Sequence, residues 1–274
     1  MALTLLDGPM GTELIARGHP APAPEWSAWC LTHRPHAVEQ LHREYAQAGA
    51  DILTTNTFRT RPEALGPKWQ ASARLAVQLA RTAAGPGQRI AGSIAPLADC
   101  YRPQDSPENP GPRHAELAHI LVEAGADLLL CETFPHVAEG LSAVKAAVAT
   151  GVPTWVAFTA GPAADLLTPE EVHQGAAQAI DLGACAVLVN CIPATRTAAF
   201  LRPLSGLEVP FGAYANAGHT DDGLGWTPDP EAPDRYAEKA AEWVDMGATI
   251  IGSCCGTGPQ HTQALHERFF KDMR

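Results

Sequence analysis

Two kinds of segment alternate along the chain. Short apolar runs rich in Val, Ile and Leu are separated by longer amphipathic stretches, such as residues 37–50 and 235–248. Apolar runs of this length between helical patterns are typical of β-strands in βαβ units. Eight such runs occur, at residues 3–8, 51–56, 89–95, 126–133, 154–159, 186–191, 209–216 and 249–256. The pattern therefore predicts eight strands that alternate with helices.

The arrangement of these strands follows from their composition. They are apolar along most of their length, which is typical of a parallel sheet covered on both faces. Several helical segments end in Gly-Ala before the next strand, which predicts left-handed helix caps; these are Gly49, Gly125, Gly183 and Gly247. Eight units in about 250 residues suit a closed barrel, and the glycine-rich motifs of a doubly wound sheet are absent from the sequence. The predicted fold class is α/β, a single (β/α)8 TIM barrel domain over residues 1–274.

Composition narrows the classes of function. The 274 residues include 19 basic and 30 acidic side chains, a net charge of −11, which disfavours nucleic acid and anionic membranes as partners. No apolar run approaches the roughly 20 residues of a membrane span, and the start, MALTLLDGPM, lacks the basic region of a signal peptide. Seven cysteines in a chain of this size indicate reduced thiols. We therefore expect a cytoplasmic protein.

Polar side chains collect where the predicted strands end. In a barrel these ends share one mouth, where active sites are built. Two long segments, residues 17–35 and 96–114, follow the first and third strands and are predicted to be loops at the same face. The polar residues at strand ends are Asp7, Asn56, Ser93, Glu132, Asn190, Cys191, Tyr214, Asn216, Cys254 and Cys255. Any one of them has an alternative explanation, because strand ends also simply reach water.

The cysteines at the ends of strands six and eight carry more information. Cys191, Cys254 and Cys255 can converge, because alternate strands share a layer of inward-pointing residues. Three thiolates with a fourth position open are a plausible catalytic zinc arrangement. Adjacent residues can both be ligands only if the strand leaves its regular pleat, and Gly252 and Gly256 are predicted to allow that bend. The other four cysteines are interpreted as small buried hydrophobes: Cys30, Cys100, Cys131 and Cys185.

An ordered set of motifs resembles the homocysteine S-methyltransferase family. These are LLDGPMGTEL (5–14), TTNTF (54–58), CETF (131–134), VNC (189–191) and IGSCCGT (251–257), and the resemblance runs from residue 5 to about 270. The Cys…Cys-Cys pattern is specific, whereas TTNTF and CETF alone would be weak. Two residues depart from the family pattern: Ser253 stands where a second Gly is usual, and Pro9 where Ala is frequent. The cobalamin-dependent relatives carry further domains, and we expect this chain to be a cobalamin-independent member.

The resemblance implies a zinc-dependent enzyme that moves a methyl group to the sulfur of homocysteine and gives methionine. By resemblance, Asp7 and Glu132 would receive the substrate ammonium, and backbone amides around Gly8 to Gly11 its carboxylate. Asn56 and Asn190 are also assigned to substrate binding, and Asn190, beside Cys191, is expected to orient the metal loop as well. Homocysteine would bind as a thiolate, because zinc lowers the pKa of a coordinated thiol.

The methyl donor is less readable from the sequence. An onium donor, S-methylmethionine or S-adenosylmethionine, suits an acidic chain with aromatic residues near the mouth: Trp26, Trp29, Tyr101 and Phe158. Tyr101 and Arg102 are candidates for contact with a donor carboxylate. Betaine and methylfolate stay open as donors, as does selenohomocysteine as an acceptor. The chain is expected to act as a monomer or a homodimer.

Two functions of other classes are alternatives. A zinc-dependent barrel hydrolase usually relies on His and carboxylate ligands, but the sequence has no H-E-x-x-H motif and its 11 histidines do not cluster at strand ends. A non-catalytic thiol protein that stores metal or senses oxidation needs exposed, exchangeable cysteines. An enzyme instead requires a thiol site that is open to an amino acid.

Overall fold

The computed structural model describes residues 3–271 and contains one eight-stranded parallel sheet. The strands are β1 (Thr4–Leu5), β2 (Ile52–Thr54), β3 (Arg89–Ile94), β4 (Leu128–Phe134), β5 (Thr154–Phe158), β6 (Ala186–Pro193), β7 (Phe211–Asn216) and β8 (Ile250–Ser253). From β2 to β8 each strand pairs with the next, and β1 pairs with β8. A single bridge between Leu6 and Ile52 joins β1 to β2 and completes the ring. The predicted (β/α)8 TIM barrel is confirmed.

Helices surround the barrel. They are α1 (Gly11–Ala16), α2 (Trp29–His33), α3 (Pro35–Gln47), α4 (Pro62–Leu65), α5 (Trp69–Ala83), α6 (Gly111–Glu123), α7 (Val137–Val148), α8 (Pro169–Asp181), α9 (Ala194–Leu204), α10 (Ala232–Asp245) and α11 (Pro259–Phe269). Over residues 3–271 none of these helices is long and apolar enough to cross a membrane.

Left-handed glycines turn four helices into the next strands. Gly49, Gly125, Gly183 and Gly247 have φ between 97° and 107°, a conformation that costs little only in glycine. Each lies two residues after the end of a helix, at the C-terminus of α3, α6, α8 or α10. The caps predicted from the repeated Gly-Ala pattern are therefore confirmed.

The core has two parts because both faces of the sheet are buried. One part fills the barrel interior and includes Leu6, Leu130 and Leu188. The larger part lies between the barrel and the helices and includes Phe134, Phe158 and Trp243, all fully buried. Burial on both faces explains why the strands appear in the sequence as nearly continuous apolar runs.

Several element boundaries differ from the sequence-based prediction. Residues 17–35 are not all loop, because they contain a 3-10 turn (Trp26–Ala28) and helix α2. Residues 96–114 hold another 3-10 turn and the first residues of α6. Strand β8 ends at Ser253, so both cysteines of the doublet follow the strand. Apolar composition does not mark these ends, because the chain stays buried after the ladder hydrogen bonds stop.

Candidate active site

A cavity of about 640 Å³ opens at the carboxyl ends of the strands. Loops that follow β1, β2, β3, β5 and β7 form its rim, and the strand ends form its floor. The cavity brings together most of the residues selected from the sequence: Asp7, Gly8, Gly11, Trp26, Asn56, Tyr101, Glu132, Cys191, Cys254 and Cys255. This is the face on which barrel enzymes place their chemistry.

Three thiols meet at one wall of this cavity. The sulfur atoms of Cys191, Cys254 and Cys255 all lie within 4.8 Å of one another. The Sγ atoms of Cys191 and Cys255 are 3.9 Å apart. Contacts with the other two thiols lower the pKa of the Cys255 thiol well below its ordinary value. The convergence expected from the sequence is observed.

The doublet can share one site because it lies in a turn. Cys254 N–H donates to the Ala215 carbonyl (2.7 Å), and the Cys255 carbonyl accepts from Ala217 N–H (2.9 Å). These bonds fix the turn to the end of β7. Gly256 follows with φ +83°, and a Cβ there would lie 2.5 Å from the Trp226 ring. Gly256 therefore makes the bend and also accommodates the indole.

Gly252 does not make the bend that the sequence suggested. Its φ is not in the left-handed region, and it lies within the regular part of β8. A Cβ at Gly252 would lie 2.7 Å from Leu6 Cβ and 3.2 Å from Tyr214 Cβ. The glycine is needed for close packing inside the barrel, and that part of the prediction is corrected.

Cys191 reaches the site through a distortion of β6. Its φ is +50°, and the pairing of β6 with β7 shifts register between Asn190 and Pro193. Asn190 is buried and does not line the cavity; its side chain binds Thr133 on β4. The Cys191 carbonyl accepts a bond of 3.0 Å from Asn216 Nδ2. Buried amides thus hold the unusual backbone that presents the thiol.

Two buried carboxyl groups lie on the same cavity. Glu132 accepts hydrogen bonds from Ser93 Oγ (2.5 Å) and the Tyr214 hydroxyl (3.0 Å). Burial raises the pKa of Glu132 to about 7, although these two bonds act to lower it. Asp7 accepts from Thr54 N–H (2.8 Å), and burial raises the pKa of Asp7 well above its ordinary value, with Glu132 adding to the rise. Two such carboxylates form a pocket that favours a cation.

Aromatic side chains form the rim. Trp26 packs edge-on to Phe58 with ring centroids 5.7 Å apart, and it covers Gly11, where a Cβ would lie 2.2 Å from the indole. Trp226 is 46% exposed and donates from Nε1 to the Gly218 carbonyl. The Cys191 thiol and then burial raise the pKa of the Tyr101 hydroxyl, and this residue lines the same cavity as the thiols.

Other residues selected from the sequence lie outside the cavity. Phe158 is fully buried in the core, beside Gly140 and Gly175. Arg102 is exposed and pairs with Asp105 at 2.8 Å. Trp29 stacks on His33. The structure therefore does not bring Phe158, Arg102 or Trp29 to the cavity.

Asn56 lines the cavity, but its amide is already bound. Ser27 Oγ donates to Asn56 Oδ1 (2.7 Å), and Asn56 Nδ2 donates to the Ser27 carbonyl (3.0 Å). These bonds tie the segment after β1 to the end of β2.

The four cysteines outside the thiol cluster differ in their burial. Cys30 and Cys131 are buried in the core as interpreted, Cys100 is buried and lines the cavity, and Cys185 is exposed.

Some cavity residues were not selected from the sequence. Phe58, Arg59, Arg61 and Trp226 all line it. Phe58, Arg59 and Arg61 immediately follow a predicted strand end, so their position was a usable signal. Trp226 lies ten residues beyond β7, and no local pattern marks it as a rim residue.

The donor set suits zinc. Three cysteine sulfurs within one small cluster match the soft ligands that Zn²⁺ accepts. Among residues 3–271 no other histidine, cysteine or carboxylate joins this cluster. The sulfurs face the cavity, so a fourth position is open to a ligand from that side. The residues present therefore fit a catalytic type of site better than a closed structural one.

Comparisons with known proteins show which family the chain belongs to. A family model for homocysteine S-methyltransferase matches residues 4–269. The homocysteine S-methyltransferase of Escherichia coli (strain K12) is 31% identical, over 97% of this chain and 95% of that protein. The S-methylmethionine–homocysteine S-methyltransferase BHMT2 of Mus musculus is 31% identical, over 88% of this chain and 72% of that protein.

A solved structure of a homocysteine methyltransferase also matches this chain. The metallated form of the homocysteine methyltransferase MmuM from Escherichia coli matches with a TM-score of 0.81 at 27% identity, covering 98% of this chain and 96% of that chain. Together with the family model, this match shows that this chain belongs to the homocysteine S-methyltransferase family.

Proposed function

We propose that the protein is a zinc enzyme that transfers a methyl group from an onium donor to the thiolate of homocysteine and so forms methionine. One observation carries the proposal: the thiols of Cys191, Cys254 and Cys255 face the same cavity as the buried carboxyl groups of Asp7 and Glu132. A thiophilic metal site and a cation pocket in one cavity suit an amino acid with a thiol side chain.

The three thiols would hold the metal. Zinc bound there supplies a Lewis acid that lowers the pKa of an incoming thiol, since metal ligation favours the deprotonated form. Asn190 and Asn216 keep the Cys191 backbone in place, and the bonds from Ala215 and to Ala217 do the same for the doublet. These contacts preset the spacing of the sulfurs before any substrate enters.

Recognition of homocysteine falls to the two buried carboxyl groups of the same cavity. Asp7 and Glu132 would receive its ammonium group, because both carboxyl groups are buried on the cavity and neither forms an ion pair within residues 3–271. Burial raises the pKa of both groups, and a bound cation would favour their charged forms. Backbone amides from Gly8 to Gly11 would receive its carboxylate. Asn56 would act by holding the segment after β1 against the barrel, since both ends of its amide bind Ser27.

The donor would occupy the outer part of the cavity. Trp26, Tyr101 and Trp226 offer aromatic faces to a sulfonium, which cation–π contact favours. In the transfer, the homocysteine sulfur forms a new C–S bond as the sulfonium–methyl bond breaks. The bonding electron pair stays on the donor sulfur, which becomes a neutral thioether, and the proton of the homocysteine thiol is released to solvent.

All seven cysteines are free, which suits a reducing compartment. We therefore place the enzyme in the cytoplasm, where it would supply methionine.

A donor panel tests the proposal. The protein is incubated with homocysteine and with S-methylmethionine, S-adenosylmethionine, betaine or methylfolate in turn, and methionine is measured by mass spectrometry. We expect turnover with a sulfonium donor, and none in the Cys254→Ala, Cys255→Ala double variant. Cys30→Ala is the matched control and should keep its activity. If the wild type made no methionine from any donor, the proposed function would be wrong.

A further inference from the structure

We infer that Arg59 binds the carboxylate of the methyl donor, an inference that rests on the proposed function and makes it more specific. Arg59 follows Phe58 in the segment after β2 and lines the cavity. A carboxylate-bearing sulfonium is then the preferred donor class, and a sulfonium without that group is a poor one.

The guanidinium of Arg59 is held in place but not neutralised. Its Nη1 donates to the Ala98 carbonyl at 2.8 Å, and its central carbon lies 5.3 Å from the centre of the Phe58 ring. It forms no ion pair with a carboxylate of residues 3–271. Arginine carries five N–H donors in a planar fork, so a positioned fork with spare donors suits a carboxylate.

The neighbouring arginine has another task. Arg61 also lines the cavity, but its Nη1 donates to three consecutive carbonyls, those of Pro96 (3.1 Å), Leu97 (2.6 Å) and Ala98 (3.2 Å). It thereby fixes the start of the segment that carries Tyr101. Arg59 makes only one of these contacts, so its remaining donors are available to a ligand.

Asp99, an acidic residue of the cavity wall, does not neutralise Arg59. Asp99 lines the cavity, and its Oδ1 accepts from the backbone N–H of Tyr101 at 2.9 Å. No ion pair joins Asp99 to Arg59. The cavity therefore holds two cationic side chains, Arg59 and Arg61, and Arg59 is the one with more unused donors.

The position of Arg59 selects the donor over the acceptor. Homocysteine must place its sulfur at the thiols and its ammonium at Asp7 and Glu132, which are only 3% and 8% exposed. Arg59 is half-buried, and its Nη1 donates to the Ala98 carbonyl, in the rim segment that leads to Tyr101. A carboxylate bound to Arg59 therefore belongs to the molecule that approaches from the outer side.

Arg59 replaces the candidate suggested by the sequence. Arg102 was selected as a contact for a donor carboxylate, but its side chain is 61% exposed and already pairs with Asp105. It lies outside the cavity, whereas Arg59 lies within it.

Two donors that differ only in the carboxylate test the inference. Methyl transfer to homocysteine is measured with S-methylmethionine and with its carboxamide, which keeps the sulfonium but has no carboxylate. Wild type should prefer the carboxylate donor in kcat/KM. Arg59→Gln should lower kcat/KM for S-methylmethionine about 10- to 150-fold, the range of a lost charge-assisted hydrogen bond. Arg59→Gln should leave kcat/KM for the carboxamide donor and the KM for homocysteine nearly unchanged. Arg59→Lys should lower kcat/KM for S-methylmethionine less than Arg59→Gln does.

Control variants separate the possible explanations. Arg74→Gln removes an exposed arginine that pairs with Glu123 and should match wild type. Equal losses on both donors in Arg59→Gln, or equal use of both donors by wild type, would overturn the inference and leave the proposed function intact. A selective loss in Arg102→Gln without one in Arg59→Gln would also overturn it. Failure of wild type with every donor would instead contradict the proposed function and this inference together.

Discussion

Asn190 on β6 binds Thr133 on β4 through both ends of its side chain. Thr133 N–H donates to Asn190 Oδ1 (3.2 Å), and Asn190 Nδ2 donates to Thr133 Oγ1 (2.7 Å). Thr133 has φ +63°, and Cys191, which follows Asn190, has φ +50°. Each of these conformations costs about 1–2 kcal/mol in a residue other than glycine. One buried amide thus stabilises two distortions, one beside Glu132 and one at a candidate metal ligand.

We expect Asn190→Ala to lower both stability and zinc affinity. The Thr133 groups would lose a buried partner, which costs about 1–3 kcal/mol, and the Cys191 backbone would be free to relax from its left-handed conformation. Urea unfolding gives the first quantity, and zinc competition with a chromophoric chelator gives the second. Gln174→Ala, on the exposed face of α8, is the control and should change neither. Unaltered zinc affinity in Asn190→Ala would show that this amide supports only the fold.

Two glycines with the same backbone angle separate strain from packing at the thiol turn. Gly256 and Gly87 both have φ +83°, but a Cβ at Gly87 meets no atom within 4 Å, whereas one at Gly256 meets the Trp226 ring. Both alanine variants should lose about 1–2 kcal/mol of stability from the backbone alone. Only Gly256→Ala should also lose zinc, because the alanine methyl displaces the indole or the cysteine doublet. Equal zinc contents in the two variants would contradict this.

The raised pKa of Glu132 predicts how stability depends on pH. The folded carboxyl has a pKa of about 7 against 4.5 ordinarily, so the folded state keeps a proton that the unfolded chain releases. This contribution is fully present below about pH 4.5 and is lost as pH rises through 7, at most about 3 kcal/mol. Glu132→Gln cannot ionise, so its unfolding free energy should fall less than that of wild type between pH 5 and pH 8. Parallel pH profiles would contradict the raised pKa.

Recognition of the acceptor can be separated from metal binding. Asp7→Asn and Glu132→Gln should keep full zinc content, because neither side chain belongs to the thiol cluster. Each should lower kcat/KM for homocysteine by roughly 10- to 150-fold, from the loss of a charge-assisted hydrogen bond of about 1.5–3 kcal/mol. For a simple thiol without an amino group, kcat/KM of the same variants should fall much less. If kcat/KM fell equally for both acceptors, the result would show that Asp7 and Glu132 support the cavity mouth and do not bind the ammonium.

The barrel was predictable from the sequence because burial on both faces of a parallel sheet leaves a continuous apolar run at each strand. The three cysteines and the two carboxylates were also predictable, since the topology places all strand ends at one mouth. The direction in which individual side chains point was not predictable from the sequence. Phe158 is in a strand beside the cavity but points into the core, and Arg102 pairs outside it while Arg59 points inward.

The backbone distortions were the other hidden feature. Cys191 and Thr133 adopt positive φ without a glycine to mark the position. Tertiary hydrogen bonds from Asn190 and Asn216 determine these angles, and no local sequence pattern reports such partners. Trp226 reaches the rim for a similar reason. Its backbone N–H donates to the Gly256 carbonyl after β8, a tertiary contact that the sequence around Trp226 does not indicate, and its Nε1 donates to the Gly218 carbonyl.

The central claim is that three protein thiolates hold one zinc and leave a position for the thiolate of homocysteine. X-ray absorption at the zinc edge, with metal content determined on the same sample, measures this directly. We predict about one zinc per chain with three sulfur ligands at about 2.3 Å, rising to four sulfurs when homocysteine is added. A sulfur count that homocysteine leaves unchanged, or full zinc retention in the Cys254→Ala, Cys255→Ala double variant, would contradict the account.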